Sequence, residues 1–379
     1  MHQRVALIAG VTGLVGRELV KALLLHLKPE WEAIYGVARH QESEAPAYQF
    51  VHCDLLDRED TLRKLSPLAG KVTHLFWITW ASQSPLDTTE CCHLNRAMLS
   101  NALDALLQSS SSLSHVALQT GTNHYVSLRV AGSECDYYYY DENSPRVVVD
   151  GGEEAHNFYY ALEDLVRERL GRSRIGWSVH RPGLLLGAST RSHFNFVGSL
   201  CVYGSICRHL GMPFKFYGER RCWEEPYMDA SDARLVVDQL IWWAKASSSS
   251  SQSQGQAFNA INGTVFTWRE IWPALTSTFR GDTTMSGFSE ELTYAEAMGD
   301  KGGVWEEVVK KYGLRATRME ELANWVFLDT VFRFPVNMLV NGEKACRMGF
   351  TTVHGVDTAD SILYWVDRMR EENLVPCFD

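Results

Sequence analysis

Apolar residues in the first half of the chain gather into short unbroken runs, and between the runs they recur at helical spacing. The first run, Val5–Ala9, reads as a buried strand. Ala33–Ala38, Tyr48–His52, His74–Thr79, His115–Gln119 and Gly176–His180 repeat it. Leu19, Val20, Leu23 and Leu24 share one helix face, and Cys91–Leu107 and Asn157–Leu170 read as further helices. Strands and helices alternating at this length predict an α/β fold with a parallel, doubly wound sheet. From about Leu184 the rhythm breaks into aromatic and glycine-rich loops. The helices Ala230–Ala246, Trp268–Phe279, Val304–Tyr312 and Met319–Phe332 are expected after them. Residues 1–185 thus read as the sheet domain, with contributions from about 225–265, and residues 186–379 as a smaller, mainly helical lobe for substrate. The serine- and glutamine-rich run Ala246–Gln256 and Ser109–Ser112 read as solvated loops.

Composition narrows the function. The 379 residues are 45% hydrophobic, enough for a large core. With 36 basic against 46 acidic residues the formal charge is −10, which argues against nucleic acid as a partner. No uncharged apolar stretch is long enough to span a membrane, and Met1-His2-Gln3-Arg4 leads straight into the first strand, leaving no room for a leader. A cytoplasmic protein is therefore expected. The nine cysteines are scattered without a CxxC pair, as reduced thiols would be. The histidines lack HExxH-like spacing, and no metal is expected.

The first strand runs into Gly10-Val11-Thr12-Gly13-Leu14-Val15-Gly16 and then a helix. Gly10 permits the tight turn, Gly13 lets the backbone approach a pyrophosphate, and Gly16 lets helix and strand pack closely. Free N–H groups at the helix start suit phosphate. This predicts a Rossmann-type dinucleotide site. The second strand ends in Arg39-His40 with no acid there to grip a ribose 2′-hydroxyl. An arginine fork suits a 2′-phosphate, so NADP(H) is expected, against the plainer reading of a solvated arginine. Asp54 of Cys53-Asp54-Leu55 either accepts the adenine amino group, with Leu55 on the ring, or closes an Asx turn.

Asn157-Phe158-Tyr159-Tyr160-Ala161-Leu162-Glu163-Asp164 opens a helix where short-chain dehydrogenases carry YxxxK. Neither tyrosine has a lysine four residues on. Glu168, eight residues after Tyr160, matches an acid common on that superfamily's helix and selects Tyr160 as the catalytic equivalent. Tyr159 then reads as a buried aromatic on the sheet.

These strings carry a resemblance. Gly36-Val37-Ala38-Arg39, Thr79-Trp80, Leu118-Gln119-Thr120-Gly121, His124-Tyr125, Asn157–Asp164, Trp177–Gly183, Ser231-Asp232-Ala233 and Gly349-Phe350 resemble the plant progesterone 5β-reductase/iridoid synthase family. Its members are atypical extended short-chain dehydrogenases that reduce activated C=C bonds. The resemblance implies cofactor contacts from Gly10, Thr12, Gly13, Leu14, Val15, Gly16, Arg39, His40, Asp54, Leu55, Thr79, Trp80, Gln119, Thr120, Gly121, Tyr160 and Pro182. It adds Leu185, Leu186 and Ser192 on the segment that passes the nicotinamide. Trp80, Phe194, Trp223 and Phe350 become candidate walls of a substrate pocket.

The chain departs from the family at one position. The family reads Thr-Gly-x-Lys-His-Tyr after the fifth strand, with the lysine assisting the tyrosine; here Asn123 stands in its place. The next segment, Val126–Val148, lacks the family's Gly-Pro and carries Tyr137 to Tyr140. A neutral phenol, with an ordinary pKa of about 10, can still stabilise an enolate by hydrogen bonding. Alcohol oxidation needs the phenolate as base. Tyr160 and Asn123 are therefore the expected catalytic pair of an NADPH-dependent ene-reductase acting on a small apolar α,β-unsaturated carbonyl compound. The alternatives are a carbonyl reductase or cyclase with altered chemistry, or a non-catalytic NADP(H)-binding regulator. Whether the chain forms a homodimer is left open.

Overall fold

Val5–Ala9 are all buried, as an apolar run without polar alternation requires of a strand covered on both faces. The computed structural model describes residues 4–25, 30–41, 47–81, 85–127, 139–149, 152–246, 254–279 and 287–378. Strands β1 (Arg4–Ala9), β2 (Trp31–Ala38), β3 (Gln49–His52), β4 (His74–Trp77), β5 (His115–Gln119) and β6 (Gly176–Pro182) join a seventh, Gln254–Ala260, in one parallel sheet. Burial is complete in the inner strands β4 and β6 and falls away in the edge strand β3. The spatial order is the Gln254–Ala260 strand, β6, β5, β4, β1, β2, β3. The chain therefore reverses its direction of growth between β1 and β4. In such a sheet the crevice at the carboxyl ends of these two strands is where ligands bind.

Helices α1 (Leu14–Leu25), α2 (Arg58–Leu65), α3 (Thr89–Leu106) and α4 (Phe158–Leu170) follow β1, β3, β4 and β5. Asp57, Thr88 and Asn157 cap the last three by accepting main-chain N–H groups of the first turn. Leu7, Val37, Leu75, Val116 and Val179 belong to one core cluster with Leu99, Leu103, Leu162 and Val166 of α3 and α4. Each such burial contributes about 1.5–3 kcal/mol.

Part of the sheet is lined by polar groups instead. His115 Nε2 is hydrogen-bonded to Ser178 Oγ (3.1 Å), Ser178 Oγ to His180 Nε2 (3.0 Å), and His180 Nδ1 to Gln239 Oε1 (2.8 Å). His74 Nε2 reaches the Ala244 carbonyl. Burial pushes the pKa of His74 and of His180 down to about 4. An unfolded histidine titrates near about 6.5, so between these values the unfolded chain binds protons that the folded chain cannot. Stability should therefore fall as pH falls from about 6.5 to 4, by roughly 1.4 kcal/mol per pH unit for each histidine. Urea midpoints at pH 7.5 and 5.0 check this, and His180→Gln should flatten the difference.

The chain forms two compact units. The sheet unit comprises Met1–Gly183, Arg234–Ala260 and Val340–Thr352. The other, Leu184–Ala233, Ile261–Leu339 and Val353–Asp379, is mainly helical. Its Phe214, Phe216, Trp272 and Phe332 pack ring against ring. Four features differ from the sequence expectation. The seventh strand begins at Gln254, inside the run read as loop. A helix spans Phe196–Leu210, where loops are expected. Ala230–Asp232 is a short strand ahead of the helix Ala233–Ala246. The expected helix Met319–Phe332 is two, Met319–Leu322 and Trp325–Phe332, because Asn324 caps the second by accepting Phe327 N–H. Among the described residues no helix is long and apolar enough to cross a membrane.

Candidate active site

The glycine turn leaves the carboxyl end of β1. Gly10 has φ +92°, and a Cβ there would lie 2.8 Å from the Ile78 carbonyl. A Cβ on Gly16 would come within 2.2 Å of the Gly10 carbonyl, so helix and turn close only with glycine. Thr12 and Gly13 are partly exposed, whereas the side chains of Leu14 and Val15 are buried. Contacts from these two to a ligand would come from backbone. No acid occupies the first turn of α1, which leaves its N-terminus open to anions.

Other candidate residues follow neighbouring strand ends. Arg39 and His40 follow β2 and are exposed. Asp54 Oδ1 accepts Leu56 N–H at 3.1 Å, so the Asx turn is formed, and Leu55 is buried. Thr79 and Trp80 follow β4, and Trp80 stacks on Phe158 with centroids 5.8 Å apart. At the end of β5, Gln119 Oε1 and Thr120 Oγ1 are buried without a partner among the described residues. Buried polar atoms are rarely left so, and a bound polar ligand would satisfy them. Together with the glycine cradle, these groups fit a dinucleotide.

The two tyrosines of α4 have different surroundings. Tyr160 is buried, and its hydroxyl donates to the His124 carbonyl (2.5 Å) while accepting Val147 N–H (3.0 Å). Arg146 lies over its ring at 4.7 Å. The Tyr160 phenol is thus occupied by main chain, where the sequence reading expects a hydroxyl facing substrate. Tyr159 differs. A Cβ on Gly121 would lie 2.8 Å from the Tyr159 hydroxyl, which places that oxygen beside the carboxyl end of β5. No described residue hydrogen-bonds it. Burial, aided by the nearby Cys91, pushes the phenol pKa up. The ring also touches Phe158, at 4.5 Å between centroids, which continues the aromatic surface of Trp80.

Asn123 lies on the single turn Thr122–His124 after β5. Its carbonyl accepts Asn157 Nδ2 at 2.9 Å. Its side-chain amide has no hydrogen-bond partner among the described residues. The Tyr137 and Tyr138 of the divergent segment lie outside the described residues. Tyr140 stacks on Tyr125 at 5.4 Å, and its carbonyl accepts Asn341 N–H.

Behind the tyrosines is a buried charge network. Arg181 Nη2 donates to both oxygens of Glu163, at 3.0 and 3.2 Å. Its Nη1 donates to the Tyr125 hydroxyl, which donates to Asn259 Oδ1. Burial alone would raise the Glu163 carboxyl, but the nearby His124 and the Arg181 charge outweigh it and hold the pKa at about 2. The sequence reading did not single out this network, although Glu163 stands in the string that opens α4 and Arg181 in the β6 string.

Comparison with known proteins gives this geometry a family. Residues 50–376 match the family model described as the PRISE-like Rossmann-fold domain. The chain belongs to the PRISE-like family. A (S)-8-oxocitronellyl enol synthase of Camptotheca acuminata is 38% identical, with 99% of this chain and 94% of that protein covered. A 3-oxo-Delta(4,5)-steroid 5-beta-reductase of Arabidopsis thaliana is 36% identical with the same coverage. Among solved structures, a UDP-glucose 4-epimerase superposes with a TM-score of 0.66 over 97% of this chain and 98% of its own, at 13% identity. The dTDP-glucose 4,6-dehydratase DesIV of Streptomyces venezuelae, solved with NAD and TYD bound, gives 0.63 at 15% identity, with 97% of each chain covered. These two share the fold.

The other residues expected at the site fall in both units. Pro182 ends β6. Leu185 and Leu186 lie in a short strand paired with Ala230–Asp232, where Leu186 is fully buried. Ser192 and Phe194 precede the helix Phe196–Leu210, and Phe194 packs on Phe327 at 4.9 Å. Trp223 packs on Phe216 and Phe288. Phe350 is buried against Trp242, in a cluster with Trp243, Phe258 and Ala345. That is the packing of a core aromatic.

Proposed function

We propose that this chain is an NADPH-dependent ene-reductase that saturates the C=C bond of a small apolar enal or enone. The observation that carries the reading is the Tyr159 hydroxyl beside Gly121, at the carboxyl edge of the sheet, without a hydrogen-bond partner among the described residues. NADPH, when bound, supplies hydride to the β-carbon. Negative charge then builds on the substrate oxygen, and the Tyr159 O–H donates a hydrogen bond to it. The raised pKa keeps the phenol protonated at neutral pH, which is the form that donates. Solvent supplies the proton at the α-carbon. The Trp80–Phe158 stack offers an apolar surface to the carbon skeleton. Without a lysine at position 123, formation of the phenolate is unassisted, so alcohol oxidation should be slow.

Gly10, Gly13 and the start of α1 would hold the pyrophosphate, Gln119 and Thr120 the polar groups near the reacting end, and Arg39 the 2′-phosphate. Arg39→Ala should weaken NADPH binding about tenfold, the value of one charge-assisted hydrogen bond, and leave NADH binding nearly unchanged. Fluorescence titration with both cofactors checks this. Equal losses would remove Arg39 from the phosphate site.

A second reading, an NADP(H)-responsive regulator without turnover, draws on the uncharged Asn123. Progress curves of NADPH absorbance with a panel of small enals, enones and steroid enones separate the two. Turnover of any panel member supports the reductase. Tight NADPH binding with no turnover, or fast oxidation of a secondary alcohol, overturns it.

A further inference from the structure

The amide of Asn157 makes two bonds that point in different directions. Its Oδ1 accepts Tyr159 N–H at 3.0 Å, which is the N-cap bond of α4. Its Nδ2 donates to the Asn123 carbonyl at 2.9 Å. One rigid planar group therefore joins the main chain of Tyr159 to that of Asn123. Capping needs only the acceptor, and serine or aspartate supplies one equally well. The donor half of the amide is surplus to the helix. What it holds is the turn that starts at Gly121, the residue against which the Tyr159 hydroxyl lies. The same turn is held at its next carbonyl, His124, by the Tyr160 hydroxyl.

We infer that Asn157 is a positioning residue that fixes the turn Gly121–His124, and with it the side chain at position 123, against the Tyr159 phenol. The inference rests on the reading of Tyr159 as donor to the substrate oxygen. A reacting group displaced by about an ångström loses about a hundredfold in rate, so a bond that sets this spacing acts on turnover more than on binding.

The test compares Asn157→Ser and Asn157→Asp, which keep a cap acceptor and lose the amide Nδ2 donor, with Tyr159→Phe and the Asn157→Ser/Tyr159→Phe double variant. Turnover is read with NADPH and trans-2-hexenal, and hydrogen–deuterium exchange is read on all four. Both Asn157 variants should lower kcat about 10- to 100-fold, with KM for NADPH within about twofold. Exchange should quicken in the peptide covering the turn and stay unchanged in α4. The double variant should be little worse than Tyr159→Phe, as for residues acting as one unit. Unchanged exchange in the turn overturns the inference, whatever the rates. Full kcat in Asn157→Ser beside an inactive Tyr159→Phe also overturns it and leaves the Tyr159 reading standing. Faster exchange throughout α4, with a lowered melting temperature, makes Asn157 only a cap. Full kcat in Tyr159→Phe removes the Tyr159 reading and the positioning role together.

Discussion

Tyr159→Phe is expected to lower enal-dependent oxidation of NADPH by about 100- to 1,000-fold, the usual cost of removing one donor to a developing oxyanion. The substitution takes away a hydroxyl that no described residue hydrogen-bonds, so it leaves no protein group unsatisfied. The melting temperature should hardly move. Tyr160→Phe should do the opposite. It strips the His124 carbonyl and the Val147 N–H of their partner, and buried groups left unpaired cost about 1–3 kcal/mol. Its turnover should fall far less than that of Tyr159→Phe. Steady-state rates and thermal midpoints for the two variants decide the assignment. A Tyr160→Phe enzyme that folds normally and is inactive would return the catalytic role to Tyr160.

The neighbouring tyrosines show where sequence reading stops. Successive helix residues point about 100° apart, so a shift of one in register gives the hydroxyl wholly different surroundings. The register was chosen from the acid eight residues beyond Tyr160. That acid, Glu168, is exposed and pairs with Arg96 on the surface, so its spacing carries no information about the site. A local signal was present: Asn157 is a good N-cap, which makes Tyr159 the second residue of α4. The segment around Arg146 and Val147 that occupies Tyr160 is irregular and has no periodicity to announce its contact.

The parallel sheet was legible because β1 and the centres of β4 and β5 are apolar and buried, and a glycine turn marked the first crossover. The seventh strand was not. It follows a serine tract and opens with Gln254-Gly255-Gln256, so only Phe258 and its neighbours show its burial. The helix Phe196–Leu210 was missed for the opposite reason. It is buried almost all round and contains Gly198 and Gly204, so no amphipathic stripe forms. Gly204 is there because a Cβ would strike the ring of Phe279, a contact that sequence cannot show.

Glu163→Ala should destabilise the protein by about 3–5 kcal/mol, because it leaves the Arg181 guanidinium buried without its carboxylate. Glu163→Gln should cost less, since the amide oxygen can still accept from Arg181. The double variant Glu163→Leu/Arg181→Met should cost less than Glu163→Ala, because it removes both charges from a site that excludes water. The ion pair also has a distinct acid signature. An unfolded glutamate titrates near about 4.3, while Glu163 holds its charge down to about pH 2. The folded pKa is the lower one, so the contribution is present above about pH 4.3 and lost as pH falls towards 2. The buried histidines act earlier, between about pH 6.5 and 4. Urea denaturation of the parent and of Glu163→Gln from pH 7.5 to 3.5 separates them. The two curves should run parallel down to about pH 4.5 and converge below it. Convergence already at pH 6 would mean that the histidines and this ion pair titrate as one coupled unit.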